Sequence, residues 1–199
     1  MWDERYAEEG LAYGDAANDF LVQQVSALQP GNCLCLAEGQ GRNATWLAQQ
    51  GFDVTAVDQS ATGLAAARDF AAQRGVSIRT EVADLADYDL GEARWDNMVS
   101  IFAHMPSVVR KALHSRVARG LKPGGVFLLE AYTPETLQTS GMGGPKEPDL
   151  LMTLESLREE LQGLEFRVGR EIRRDVNEGK YHRGEGAVVQ VIARKPEGE

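Results

Sequence analysis

Strand-like apolar runs alternate with helical segments along most of this 199-residue chain. The apolar runs are residues 32–37, 52–58, 76–84, 95–102 and 124–132, and the helical patterns are 16–28, 43–50, 60–74 and 107–120. Parallel strands need a long connection between them, which is usually a helix, so this alternation predicts a parallel sheet covered by helices on both faces. The expected fold is α/β and doubly wound.

The last part of the chain breaks this alternation. Two strand-like runs, 164–175 and 184–195, are separated by a loop without a helical pattern. Strands joined in this way pair antiparallel, so the sequence predicts a terminal hairpin. Ligands of doubly wound sheets bind beyond the carboxyl ends of the strands, and a functional site is therefore expected at that edge.

Composition restricts the kinds of partner. The formal net charge of −9 and the pI near 4.9 argue against nucleic acid or an anionic membrane, because clustered Lys and Arg dominate phosphate binding. Arg170, Arg173 and Arg174 alternate with Glu171 and Asp175, and we interpret them as a solvated strand face. The sequence shows neither a membrane span nor a secretory signal, so a cytoplasmic location is expected.

The cysteines give no indication of a disulfide or a metal site. Cys33 and Cys35 are the only two, and they alternate with leucines in the first apolar run. On a strand they share one face, and their spacing is neither that of a redox motif nor that of a zinc site. The sequence therefore predicts two buried, reduced thiols and no bound metal.

A glycine-rich turn, LAEGQGRNATW, follows the first strand. Gly39 and Gly41 would let a cofactor come close to the backbone, and that cofactor could be either a dinucleotide or the sulfonium nucleoside S-adenosylmethionine (SAM). Carboxylates stand at three successive strand ends: Glu38, Asp58 and Asp84. Glu38 would repel a pyrophosphate but attract the ammonium and sulfonium groups of SAM, so SAM is the predicted cofactor.

Several motifs resemble those of class I SAM-dependent methyltransferases: AEGQGRN, VDQS, VADL and LKPGGVFLLE. MWDERYAEEGLAYG, IFAHMP, GGPKEPDLL and EGKYHRGEGAVVQ resemble the small bacterial tellurite-resistance, TehB-like group. The resemblance implies a Rossmann-like seven-stranded sheet of order 3-2-1-4-5-7-6 with strand 7 antiparallel, in one domain over residues 1–199. Residues 1–30 would form an N-terminal helical cap, and the Gly and Pro content predicts a mobile loop at 139–152.

The resemblance also implies which residues bind SAM. They are Glu38, Gly39, Gly41, Asn43, Asp58, Gln59, Asp84, Leu85 and Phe102. Asp58 would hold the ribose, Gln59 would lie against the adenine, and Phe102 would lie near the methionine end. Asn43 stands where the family motif has its third glycine, and we interpret it as a residue that tolerates a left-handed backbone and can cap the following helix.

Methyl transfer depends mainly on aligning the nucleophile with the methyl carbon and the sulfur. His104 and His182 are candidates to orient or deprotonate a substrate, although a backbone-bonded His104 and a solvated His182 remain alternatives. Tyr13 is a candidate for closing over SAM, with helix packing as the alternative, and His114 is expected at the surface. Without a compelling base, the expected substrate is a small acceptor with a soft nucleophile, such as a thiolate or a reduced chalcogen.

Two other functions stay open from the sequence. One is a nicotinamide-dependent dehydrogenase that uses the same glycine turn. The other is a SAM-binding sensor or partner subunit that performs no chemistry. A small-molecule partner is expected in each enzymatic case, and the assembly is expected to be a monomer or a homodimer.

Overall fold

The computed structural model describes residues 2–7 and 10–198, so residues 1, 8 and 9 of the expected N-terminal cap lie outside the described residues. Seven strands are assigned: β1 (Asn32–Leu36), β2 (Asp53–Asp58), β3 (Arg79–Val82), β4 (Trp95–Ile101), β5 (Leu121–Tyr132), β6 (Glu165–Asn177) and β7 (Arg183–Arg194). They form one sheet of order β3-β2-β1-β4-β5-β7-β6. The predicted strand order is confirmed.

Strand direction also agrees with the prediction. The pairs β2–β3, β1–β2, β1–β4 and β4–β5 are parallel, whereas β7 runs antiparallel to both β5 and β6. β6 and β7 form the expected terminal hairpin. The order reverses between β1 and β4, and this reversal is the point at which doubly wound sheets bind their ligands.

The α-helices are α1 (Trp2–Tyr6), α2 (Asp19–Gln24), α3 (Arg42–Gln49), α4 (Ala61–Gln73), α5 (Ser107–His114), α6 (Val117–Gly120) and α7 (Leu154–Glu160). Ser60 caps α4 by accepting a hydrogen bond from the Gly63 amide, as its position before the alanine-rich run predicts. Arg74 is the C-cap, and Gly75 follows it with a φ of +76°. Both predicted ends of this helix are confirmed.

Two helices are shorter than their apolar patterns predict. The segment 16–28 begins its helix only at Asp19, because Asn18 accepts from the Leu21 amide as the N-cap, and its last turn is a 3-10 helix at Val25–Ala27. The segment 107–120 is divided into α5 and α6 around Ser115. Apolar spacing indicates which face is buried, but it does not reveal where a cap interrupts the backbone pattern.

The sheet separates two apolar cores. Leu34 and Leu36 of β1 pack into one core, whereas Cys33 and Cys35 pack into the other. Both thiols are free and fully buried, which confirms the prediction of two buried, unpaired cysteines.

Across residues 2–7 and 10–198, none of the helices combines the length and the apolar character that crossing a bilayer requires.

Candidate functional site

The glycine turn lies at the carboxyl end of β1 and leads into α3. Gly39 has a φ of +60° and Gly41 a φ of +82°, and Gly41 is the N-cap of α3. A side chain at either position would strain the backbone, and a Cβ on Gly41 would approach the Ala67 Cβ to 2.6 Å. The two glycines therefore serve both the turn and the close packing of α3 on α4.

Two carboxylates hold the backbone of this turn. Asp58, at the end of β2, accepts hydrogen bonds from the Gly39 amide and the Ser60 amide, each at 2.8 Å. Glu38 accepts from the Ala44 amide at 2.8 Å. Desolvation raises the pKa of both groups above their ordinary values, and the pKa of Glu38 reaches about 7 although the Ala44 amide opposes the shift.

Among the described residues, backbone amides rather than a cationic side chain donate hydrogen bonds to Glu38. A ligand with a positive charge would stabilise the ionised form of this half-buried carboxyl, because an opposite charge nearby favours ionisation. Glu38 is therefore suited to the ammonium and sulfonium charges of SAM and poorly suited to a pyrophosphate.

The remaining residues predicted to contact the nucleoside follow the neighbouring strands. Gln59 is exposed directly after β2. Asp84 follows β3, is exposed, and accepts from the Ala86 amide at 2.9 Å, while Leu85 beside it is buried in the apolar core. These positions leave the Asp84 carboxylate accessible at the same edge of the sheet as Asp58.

The interpretation of Asn43 is wrong. Its φ is not in the left-handed region, and the cap of α3 is Gly41, so Asn43 belongs to the first turn of the helix. Its side-chain oxygen accepts from the Asn18 amide at 2.9 Å. Asn43 thus ties the start of α2 to the first turn of α3 instead of shaping the glycine turn.

Two residues other than glycine adopt left-handed backbone at the point where the strand order reverses. Ala37 has a φ of +50° directly after β1, and Phe102 has a φ of +51° directly after β4. Such strain costs energy and is concentrated at functional sites. The Phe102 amide donates to the Glu130 carbonyl at 2.8 Å, which helps to hold this conformation at the carboxyl end of β4.

His104 lies at the expected edge, but both of its ring nitrogens bond to backbone. Nδ1 lies 2.7 Å from the Leu150 carbonyl oxygen, and Nε2 accepts from the Tyr132 amide at 3.2 Å. Burial lowers the pKa of His104 to about 4, so the ring is neutral at physiological pH. This geometry favours the backbone-bonded alternative and leaves no free nitrogen to deprotonate a substrate.

His182 is buried rather than solvated, although it lies in the connection between β6 and β7. Its ring packs against the rings of Phe102 at 4.7 Å, Tyr13 at 4.8 Å and Tyr132 at 5.4 Å. Burial lowers the pKa of His182 to about 3. The hairpin therefore returns over the strand ends and brings His182 to the predicted cofactor contact Phe102, while Tyr13 packs on His182 from the N-terminal segment.

Tyr132 was not identified from the sequence, although it ends β5 at the same edge. Its ring stacks on Phe102 at a centroid distance of 4.7 Å, and only 1% of the residue is exposed. Among the described residues, the Tyr132 hydroxyl and His182 Nδ1 are buried without a hydrogen-bond partner. In the sequence, the position of Tyr132 at the end of a predicted strand could have indicated that it belongs to the site.

A buried charge network behind this edge was also missed. Glu130 of β5 accepts hydrogen bonds from the side chains of Arg174, Gln190 and Asn18. Glu178, in the hairpin connection, accepts from Asn18 at 2.9 Å and from Arg174 at 2.7 Å, and it pairs closely with Arg42. Burial acts to raise the pKa of Glu178, but Arg42 and Arg174 outweigh it and hold that pKa below its ordinary value.

The network corrects the expectation of a wholly solvated arginine face. Arg173 is exposed and pairs with Glu135, as expected, but the side chain of Arg174 is only 13% exposed and lies between Glu130 and Glu178. Burial acts to lower the pKa of Arg174, but Glu130 more than compensates for it. The missed signal was Glu130, a charge within the apolar run GGVFLLEAY.

His114 is not a surface residue. It is 2% exposed, and its Nδ1 lies 2.7 Å from Glu160, which also binds Arg110. Arg110 in turn donates to the carbonyls of Asp149 and Leu151. The amphipathic pattern of α5 predicted a surface position for His114, but α7 packs on this polar part of α5. Glu160 of α7 binds both Arg110 and His114 there.

In this structure Tyr6 covers the glycine turn. A Cβ added to Gly39 would lie 2.5 Å from the Tyr6 hydroxyl oxygen, and one added to Gly63 would lie 2.8 Å from the ring. Ser60 Oγ donates to Asp3 and ties α1 to the start of α4. The carboxylates thus fit SAM, and Tyr6 occupies the space that a ligand in contact with Gly39 would enter.

Within the part of the chain that the structure describes, no group of three or more His, Cys, Asp or Glu side chains is arranged to hold a metal ion.

Comparison with known proteins gives one family match and one curated relative. Residues 33–125 match the family model described as a methyltransferase domain. The relative is the 2-heptyl-1-hydroxyquinolin-4(1H)-one methyltransferase of Mycobacteroides abscessus, 24% identical over 105 residues. That match covers 51% of this chain and 46% of the relative, so the chain spans less than half of the length of the curated relative that it matches.

Solved structures share the fold over nearly the whole chain. A protein from a study of the conversion of a disulfide bond into a thioacetal group in echinomycin biosynthesis has 20% identity and a TM-score of 0.77, with 99% of this chain and 89% of that chain covered. TehB from Haemophilus influenzae has 20% identity and a TM-score of 0.73, with coverage of 98% and 65%. A SAM-dependent methyltransferase from Methanosarcina mazei has 17% identity and a TM-score of 0.70, with coverage of 92% and 100%. At these identities the likeness establishes a methyltransferase fold.

Proposed function

We propose that this chain is a SAM-dependent methyltransferase that acts on a small acceptor. The observation that carries the proposal is the set of carboxylates at three adjacent strand ends, above all Glu38, whose desolvated carboxyl is held by backbone amides and keeps a raised pKa although Arg42 and the Ala44 amide oppose the shift. The methyltransferase-domain match over residues 33–125 and the SAM-dependent neighbour from Methanosarcina mazei support S-adenosylmethionine as the cofactor.

The residues proposed to hold SAM have distinct tasks. Asp58 accepts from the ribose hydroxyls, and Glu38 faces the charged methionine end. Gln59, Asp84 and Leu85 bound the adenine. These roles require Tyr6 to leave Gly39, because its side chain fills the space over the turn.

SAM supplies an electrophilic methyl group whose sulfur leaves uncharged. The task of the protein is to align an acceptor with that group and to exclude water. Phe102, Tyr132 and His182 form the aromatic wall beside the proposed methionine end, and Tyr13 covers His182 from the N-terminal segment. We propose that this wall is the acceptor side of the site, with Tyr13 and His182 in contact with the acceptor and His104 as a positioning residue.

We further propose a thiol or a reduced chalcogen as the acceptor. A soft nucleophile needs little help from a base, and His104 has no free ring nitrogen to act as one. One structural neighbour comes from a study of the conversion of a disulfide bond into a thioacetal group, and another is TehB, which agrees with the tellurite-resistance resemblance. Both similarities concern the fold. Nucleic acid is not the proposed partner, given the net charge of −9. A cytoplasmic monomer or homodimer and a mobile loop at 139–152 also remain proposals.

Substitution of Asp58 tests the cofactor site. Asp58→Asn removes a charge-assisted acceptor, and such bonds contribute about 1.5–3 kcal/mol, so SAM affinity should fall by about one to two orders of magnitude. The control is Asp53→Asn at the opposite end of β2, where the carboxylate is exposed and pairs with Arg79. Calorimetric titration measures both affinities, and thermal unfolding verifies that both variants fold. If Asp58→Asn folds and binds SAM like the wild type, the assignment of this site is wrong.

A further inference from the structure

We propose that the Tyr132 hydroxyl and His182 Nδ1 together recognise a thiol in its neutral form, and that the site discriminates against anionic acceptors. This inference rests on the proposed function and specifies its substrate class. It extends the site to Tyr132, which the sequence did not indicate.

The first observation is the pair of unpartnered polar atoms. Tyr132 is 1% exposed and His182 is 8% exposed, and within the described chain neither the Tyr132 hydroxyl nor His182 Nδ1 has a hydrogen-bond partner. A buried polar group without a partner is costly, and such groups in native structures call for a ligand, a water or a functional role. The ring centroids lie 5.4 Å apart, so the two side chains belong to one buried aromatic cluster.

The second observation is that the neighbouring charges are already compensated. Arg42 pairs with Glu178, and Arg174 pairs with Glu130, Glu178 and the exposed Asp19, so both arginine charges are compensated. His104 and His182 are neutral, because burial lowers the pKa of both rings. An anion placed against Tyr132 would lose its hydration without gaining a free charge from Arg42 or Arg174.

The chemistry of the two atoms then defines the acceptor. With its proton on Nε2, the His182 ring presents Nδ1 as a hydrogen-bond acceptor, while the Tyr132 hydroxyl donates. A thiol satisfies both, because its S–H donates to Nδ1 and its sulfur accepts from Tyr132. Methylation of the thiol forms one sulfur–carbon bond, breaks the methyl–sulfonium bond and releases one proton to solvent.

Two glycines lie against the Tyr132 side chain. A Cβ added to Gly143 would lie 2.4 Å from the Tyr132 hydroxyl oxygen, and one added to Gly144 would lie 2.8 Å from the Tyr132 ring. An acceptor that approaches the Tyr132 hydroxyl from this side would have to displace the two glycines, which carry no charge.

Tyr132→Phe is the decisive variant, because it removes only the unpartnered oxygen. A residue with a purely structural role would lose stability, whereas here the midpoint of thermal unfolding should stay equal or rise. The probes are methyl 3-mercaptopropionate, which is neutral, and 3-mercaptopropionate, which carries a negative charge in place of the methyl ester. They are titrated calorimetrically into the S-adenosylhomocysteine-bound protein, and methylation is measured separately with SAM.

We expect the neutral ester to bind at least tenfold more tightly than the carboxylate, and Tyr132→Phe to weaken ester binding about tenfold with SAM affinity unchanged. Glu178→Gln leaves one arginine charge uncompensated and should raise the relative affinity for 3-mercaptopropionate. If the carboxylate, selenite or tellurite binds the wild type better than the ester, or Tyr132→Phe binds the ester normally, this inference is wrong while SAM binding still supports the proposed function. If SAM itself does not bind, the proposed function fails first.

Discussion

Replacement of Arg174 by methionine should destabilise the fold by about 3–5 kcal/mol, because it leaves the fully buried Glu130 without its cationic partner. Methionine preserves much of the apolar stem, so loss of the charge is the main change. Asn18 and Gln190 still donate to Glu130, but neutral donors do not compensate for the desolvation of a carboxylate. Urea-induced unfolding at pH 7 measures the effect.

Two further variants separate charge pairing from other causes. Arg173→Met changes the neighbouring residue on β6, whose exposed pair with Glu135 should contribute less than 1 kcal/mol. Addition of Glu130→Gln to Arg174→Met removes the unpaired charge and should restore at least half of the lost stability. Equal destabilisation by Arg174→Met and Arg173→Met would contradict the assignment of a buried network.

Replacement of Glu38 by glutamine should stabilise the protein above pH 7 and weaken SAM binding. The pKa of Glu38 is about 7 in the folded protein and near 4.5 in an unfolded chain, so folding becomes less favourable as the pH rises through this interval. Glutamine retains an oxygen that can accept from the Ala44 amide but carries no charge. The variant should match the wild type at pH 4.5 and exceed it by up to about 3 kcal/mol above pH 7.

The same substitution that stabilises the fold should weaken SAM binding, because the wild-type protein loses stability but gains SAM affinity as the pH rises. A cationic ligand favours the ionised carboxylate, so wild-type affinity for SAM should increase from pH 6 to pH 8, while Glu38→Gln should bind weakly with little dependence on pH. Unfolding by urea at pH 4.5 and pH 8 and calorimetric titration at pH 6 and pH 8 measure the two parts. A variant that is less stable than the wild type at pH 8, or that binds SAM with the same pH dependence, would refute the role given to Glu38.

Periodicity predicted the features of the fold that depend on neighbouring residues. The alternation of apolar runs and helices gave the parallel strands, and the missing helix before β7 gave the hairpin. Local signals were equally informative at Ser60, which caps α4, and at the glycine turn, where Gly39 and Gly41 adopt the left-handed conformations that glycine permits. Such features depend on backbone geometry within a few residues.

The rest of the site depends on pairs that are distant in the sequence. Arg42 and Glu178 are separated by 136 positions, and Arg174 and Glu130 by 44, so no local pattern reveals that they meet. His182 was assigned to a loop, and only the path of the β6–β7 connection buries it beside Phe102 and Tyr132. Loop burial is a tertiary property, and for this reason the acceptor side was predicted less completely than the cofactor side.

The central claim, a SAM site at the carboxyl ends of β1, β2 and β3, is tested most directly by calorimetric titration of the purified protein at pH 8. SAM, S-adenosylhomocysteine and NADH are titrated in parallel. We expect micromolar binding of SAM and S-adenosylhomocysteine and no heat of binding for NADH. Binding of NADH alone would contradict the account, because it would place a pyrophosphate beside the carboxylate of Glu38.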